Sequence, residues 1–154
     1  MAFYLDIPDE YSSTIDSISL RKNIELLLIE LEIPNSTEFS VSFVNDERIR
    51  LLNQDFRGID APTDVLSFPS EEINPEDNTT YIGDIAISMD TVNRQSEKAH
   101  ISQLDEIHLL IIHGLLHLQG FDHDTEENKQ KMWDVQSKLL QVLHCPANPD
   151  HYEL

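Results

Sequence analysis

A chain of 154 residues, 40% of them hydrophobic, has the length and composition of one compact domain with a sizeable core, residues 1–154. No stretch approaches the roughly 18 apolar residues of a membrane span, and the opening "MAFYLDIPDE" lacks the basic-then-apolar pattern of a secretory signal. A net charge of −19 argues against unaided affinity for phosphate backbones, and the lone Cys145 excludes an internal disulfide and suits a reducing, cytoplasmic setting.

Along the chain, "AFYLDI" (residues 2–7) reads as a strand. "SLRKNIELLLIELEI" places Ile24, Leu27, Leu28 and Leu31 at helical spacing, with Pro34 as the stop. In "FSVSFV", Phe39, Val41 and Phe43 alternate with Ser40 and Ser42, the pattern of a half-buried strand. "NDERIRLLNQDFRG" starts with two capping residues and ends at Gly58, which predicts a short helix. "DVLSF" and "YIGDIAIS" follow as strands, separated by the polar, proline-containing "PSEEINPEDNTT", which is expected to be a loop. A helix near "MDTVNRQSEKAH" comes next.

Ser102, with Asp105 three residues later, opens the next helix as a capping box. "EIHLLIIHGLLHL" is apolar almost all round, so this helix should be buried on most sides, and Gly120 ends it. Thr125 caps a last helix, whose inner face is Met132, Val135, Leu139 and Val142 or Leu143. Strands early and central, helices mostly late, imply an α+β fold: a small mixed sheet with helices packed on it.

Three histidines stand out in "HGLLHLQGFDH" (residues 113–123). His113 and His117, four apart on a helix, lie about 40° from each other around its axis, close enough to share one ion. A turn at Gly120 can return His123 to their side. Three neutral imidazoles with an open fourth position describe a catalytic zinc site, where water acquires a pKa near 7. Imidazole also suits nickel, copper and iron. His100, His108, His144 and His151 lack this arrangement, and His108 is read as structural. The frame HxxxHxxGxxH has the spacing of the zincin-like metzincin proteases, yet Gly114 stands where their general base, a glutamate, would be.

The same stretch resembles the HGxLHLxGyDH signature of the YbeY family, bacterial endoribonucleases of ribosomal RNA maturation. "LNQDFRGIDAPTDVLSFP" (residues 52–69) and "GDIAIS" (residues 83–88) resemble two further segments of that family. The resemblance implies an α+β fold and one Zn2+ per chain on His113, His117 and His123. It implies single-strand-specific cleavage of RNA at the 3′ end of 16S ribosomal RNA and a part in ribosome quality control. Its partners would be ribosomal RNA and the ribosome or ribosomal proteins, with no membrane and no organic cofactor. The family's functional arginine falls on Arg57.

Phosphodiester cleavage needs a nucleophile, a phosphate clamp and stabilisation of developing charge. Arg57 suits the clamp through a bidentate fork. Catalysis is assigned to Arg57, His113 and Asp122, the last as general base or as a residue orienting a ligand. Asp84 is a second carboxylate candidate, since it interrupts an apolar strand and needs a partner there. Asp64 and Ser67, in "TDVLSF", are expected to line the substrate site. Arg48, Arg50 and Arg57 form a candidate positive strip. The alternatives are another zinc hydrolase, such as a peptidase, and a non-catalytic, zinc-stabilised ribosome assembly factor.

Overall fold

The computed structural model describes residues 2–148; His151 lies outside them. β1 (Ala2–Asp6) is followed by a short 3-10 turn at Asp9–Tyr11 that the sequence pattern does not announce. α1 (Ser17–Glu30) then crosses to β2 (Thr37–Val44), which pairs parallel with β1, as a parallel pair requires. α2 (Asp46–Arg57) leads to β3 (Val65–Ile73), which turns back antiparallel onto β4 (Thr80–Ser88). β4 also pairs parallel with β2, so the mixed sheet runs β1-β2-β4-β3. Three helices follow: α3 (Met89–Ala99), α4 (Gln103–Leu118) and α5 (Glu126–Val142). The α+β architecture expected from the element order is the one observed.

Two boundaries differ from the sequence reading. α1 ends at Glu30, before Pro34 can act: Glu32 adopts φ 54° and the Ile33 N–H bonds back to the Leu28 carbonyl at 3.0 Å. The chain has already left the helix through a left-handed turn, and Leu31 becomes its cap. The expected loop over residues 69–80 shrinks to residues 74–79, because β3 continues through Pro69 to Ile73. Proline cannot donate to a ladder, and β3 is an edge strand, where that loss is tolerated. The ladder is irregular between Pro69 and Glu72.

Phe39, Val41 and Phe43 of β2 and Ile85 and Ile87 of β4 are buried, and they form one core with Leu20, Ile24, Leu27 and Leu28 of α1. α4 runs through the middle of that core, against β3 and β4 on one side and α1, α3 and α5 on others. Every residue from Glu106 to Leu116 is buried, so the apolar run of the sequence belongs to a helix with almost no solvent face. Contact with the sheet is tight at Gly114: a Cβ there would sit 3.0 Å from two Ile85 side-chain carbons. Glycine lets the helix approach β4 this closely. The caps follow the sequence: Asn45, Ser102 and Thr125 accept from the N–H groups of Arg48, Asp105 and Asn128.

Candidate metal centre and cleft

The end of α4 sets the position of the three histidines. Gly120, at φ +95°, turns the chain out of the helix, and the Phe121 N–H closes back on the Leu116 carbonyl at 3.0 Å. This turn brings His123 beside the helix. Its ring centroid lies 5.6 Å from that of His113 and 5.2 Å from that of His117. One ring nitrogen from each of the three lies within 4.8 Å of the others. Trp133 of α5 packs edge-on against His113 and His123, both at 6.0 Å, and walls one side of the cluster.

The hydrogen bonds behind the rings fix their tautomers. His113 Nδ1 lies 2.8 Å from Gln136 Oε1, and His117 Nδ1 lies 3.0 Å from the Phe121 carbonyl oxygen. Both oxygens can only accept, so both Nδ1 atoms carry the proton. Burial, with His117 and His123 adding to it, pushes His113 down to about 3; burial and the adjacent His123 also lower His117. Both imidazoles are therefore neutral near pH 7, and each keeps an unprotonated Nε2. Those two Nε2 atoms face each other at 3.0 Å. Two lone pairs at that distance repel unless a cation lies between or beside them. The donor set fits a metal ion on these side chains: neutral nitrogens, oriented by acceptors behind them, converging with a third imidazole.

The cluster forms one wall of an open cleft of about 790 Å³, whose lining includes Arg57, Asp64, Ser67, Arg94, Asp122 and the three histidines. Arg57 is the last residue of α2, held at the cleft by Phe56, whose ring packs on Phe68 of β3 with centroids 4.3 Å apart. Among the described residues Arg57 makes no ion pair, so its guanidinium is available to an anion. Its neighbour Arg50 is engaged by Glu47 and Asp60. Of the candidate strip Arg48, Arg50 and Arg57, only Arg57 lines the cleft. Instead Arg94 of α3 reaches it, paired with Asp46 at 2.9 Å.

The carboxylates separate. Asp122 is exposed on the cleft wall, with Oδ1 accepting from the His123 N–H at 2.7 Å. Asp64 is buried at the rim: Oδ1 accepts from the Val65 N–H, Oδ2 has no partner among the described residues, and burial raises the carboxyl pKa. Ser67 donates to the Gly114 carbonyl at 3.3 Å and ties β3 to α4. Asp84 is not brought to this site. It accepts from Ser40 and Tyr81 and, next to the core residue Ile85, points to the opposite face of the sheet. The partner that a carboxylate in this strand needs is therefore a pair of hydroxyls.

Residues 8–144 match the family model described as Endoribonuclease YbeY. The chain is 40% identical to the Endoribonuclease YbeY of Geobacillus kaustophilus over 152 residues, covering 91% of this chain and 96% of that one. The chain belongs to the YbeY endoribonuclease family. Identity to the Sulfurihydrogenibium YbeY is 39% over 136 residues, covering 88% of each chain. The solution structure of TM1509 from Thermotoga maritima superposes with a TM-score of 0.63 at 30% identity, covering 99% of this chain and 97% of that one.

This YbeY-family site also contains residues that the sequence reading does not single out. Gln136 is fully buried on the inner face of α5, four residues after Met132 and three before Leu139. An amide on an otherwise apolar stripe is a legible signal, since a buried polar group needs a partner. Arg94, by contrast, carries no signal in a helix of mixed charge. The Phe121 carbonyl is backbone and leaves no trace in side-chain pattern. Gly114 acquires a second reason for being glycine: the space a glutamate would need is filled by Ile85.

Proposed function

We propose that this YbeY-family protein is a zinc-dependent, single-strand-specific endoribonuclease that matures the 3′ end of 16S ribosomal RNA and serves ribosome quality control in the cytoplasm. One zinc ion per chain would be held by His113, His117 and His123. The observation that carries this reading is the pair of unprotonated Nε2 atoms 3.0 Å apart, with acceptors fixing the protons on the far side of each ring. When bound, zinc supplies Lewis-acid charge and a lowered pKa for water in the cleft.

The chain's own residues then have separable tasks. Hydrolysis joins a water oxygen to phosphorus, breaks a phosphorus–ribose oxygen bond, and requires one proton to leave the water and one to reach the departing oxygen. Arg57 clamps the phosphate oxygens through two parallel N–H bonds and stabilises the charge that grows on them. Asp122 offers its second carboxylate oxygen as proton acceptor at the cleft wall, its first being held by the His123 N–H. His113 orients the centre from its buried position, with Gln136 behind it. Ser67 and Asp64 line the path of the strand. A single strand, whose bases are free to splay, suits an open cleft lined by Arg57 and the histidines.

The overall charge of −19 leaves few cations to hold RNA unaided, which fits a substrate presented by the ribosome or its proteins. A peptidase reading is disfavoured by Gly114, which supplies no carboxylate base and has no room for one.

The test is cleavage of precursor 16S RNA by purified protein, with and without chelator. It compares wild type with His113→Ala, His117→Ala and His123→Ala. Cleavage is expected to stop on chelation, to return with zinc and to fail in all three variants. Undiminished cleavage by the chelated protein would sink the metal role, and zinc-loaded protein with no nuclease activity would favour the assembly-factor alternative.

A further inference from the structure

A second group of metal-ligating side chains lies outside the cleft, where the start of α4 meets the chain leaving α5. Asp105, His108 and Cys145 bring a carboxylate oxygen, a ring nitrogen and Sγ within 4.8 Å of one another. None of the three lines the cleft. The residues are 40 apart across Asp105 and Cys145, so the fold, not local sequence, assembles them.

His108 is the informative member. It is only 4% exposed, yet its Nδ1 has no hydrogen-bond partner among the described residues. Its other nitrogen, Nε2, lies 3.1 Å from the Asn23 amide nitrogen, which donates to it in this orientation of the amide. A buried polar atom left unmatched costs about 1–3 kcal/mol, so the bare Nδ1 calls for a partner. With Asn23 donating, Nδ1 carries a buried, unmatched proton; a half-turn of the amide puts its oxygen on Nε2–H and leaves the lone pair on Nδ1 for an ion. This is the arrangement of a metal-binding imidazole, with an acceptor behind the ring and a free nitrogen in front.

We infer that Asp105, His108 and Cys145 form a second metal site, for a zinc-class divalent cation. The donor set is one nitrogen, one sulfur and one oxygen, which suits a borderline-soft ion over calcium or magnesium. Charge closes to neutrality: thiolate and carboxylate carry two negative charges, imidazole none and the ion two positive. Binding expels the Cys145 thiol proton to solvent and ends its weak bond to the Asp105 carbonyl, which spans 3.4 Å. Ligand atoms around tetrahedral zinc lie about 3.5 Å apart, so the group, already within 4.8 Å, needs at most a small closure. Asp105 and Cys145 are only half-buried, which leaves an entry path and room for water as fourth ligand. Without an ion, burial holds the thiol up at about 11 and the cysteine is inert. The ion would staple the segment after α5 to the start of α4.

The site is read out by loading the full-length protein with cobalt(II). Cobalt is counted per chain, and the near-ultraviolet band that only a thiolate–cobalt bond gives is recorded. Wild type should bind two ions and show the band. His113→Ala should lose one ion and keep the band, which separates this site from the histidine triad and from the nuclease reading. Cys145→Ser and His108→Ala should each lose one ion and the band, with unchanged far-ultraviolet circular dichroism. Wild-type protein without the band overturns the assignment, and so does a His108→Ala protein that keeps it at full strength.

Discussion

His113 and Gln136 are 23 residues apart in the chain, and their side chains meet at 2.8 Å in the core between α4 and α5. The amide oxygen holds the Nδ1 proton and aims Nε2 at the cleft. The last helix, which contributes no ligand to the histidine centre, thereby sets the orientation of one.

Gln136→Leu separates that orienting task from packing. Leucine fills similar volume and removes a buried amide whose Nε2 has no partner among the described residues, but it leaves the His113 Nδ1–H unpaired, so stability in urea should hold steady or fall by no more than about 1–3 kcal/mol. Zinc affinity, measured by competition with a chromophoric chelator, should fall about 10–100-fold, the usual cost of losing a residue that orients a ligand. Wild-type affinity in this variant would show that Gln136 only packs.

Gly114 sets two effects against each other. Glycine to alanine inside a helix gains about 1 kcal/mol in propensity. The added methyl meets Ile85 at 3.0 Å, and overpacking costs about 1–3 kcal/mol. Gly114→Ala should therefore be neutral to destabilised by about 2 kcal/mol in denaturant melts. Gly114→Glu places a carboxylate in the same gap, pays for burial of charge as well, and should yield mostly unfolded protein. A stable Gly114→Glu variant would reopen the peptidase reading.

These examples show what the sequence disclosed and what it withheld. The triad was legible because helix period and a glycine turn are local: His113 and His117 share a face by geometry, and Gly120 permits the return to His123. The strand of Phe39, Val41 and Phe43 was legible for the same reason. Gln136 and Arg94 depend on how α5 and α3 dock on α4, which no spacing encodes. Asp84 misled because a carboxylate in an apolar strand signals a partner without saying which face it lies on. The β3 boundary was hidden because Pro69 reads as a breaker until the strand is known to be an edge. His108 read as structural because its companion Cys145 is 37 positions away in the sequence.

Arg57 is exposed and makes no ion pair among the described residues, so its removal should leave stability unchanged within about 0.5 kcal/mol. The proposed phosphate clamp predicts an effect on cleavage instead. Arg57→Ala should lower RNA cleavage by about 100-fold, the scale for deleting one donor to a developing oxyanion. Arg57→Lys should recover only part of this, because an ammonium cannot make the two parallel bonds of a guanidinium. Zinc content should be unchanged in both. Full activity in the alanine variant would remove Arg57 from the chemistry.

The buried His113 gives the metal-free protein a pH dependence of fixed sign. Its pKa falls from 6.5 to about 3 on folding, burial being the main cause. Between those values the unfolded chain binds a proton that the folded chain refuses. Linkage then makes stability greatest above pH 6.5, with progressive loss as the pH drops towards 3. His117, also lowered, contributes in the same direction. Urea midpoints of the chelated protein should be level from pH 8 to pH 7 and decline below about 6.5, well before most carboxylates titrate. His113→Ala starts from a lower midpoint, having lost a packed ring, but its decline between about pH 6.5 and 5 should be shallower. An equally steep decline in the variant would mean that His113 is not the group resisting protonation, and the neutral tautomer behind the metal centre would lose its support.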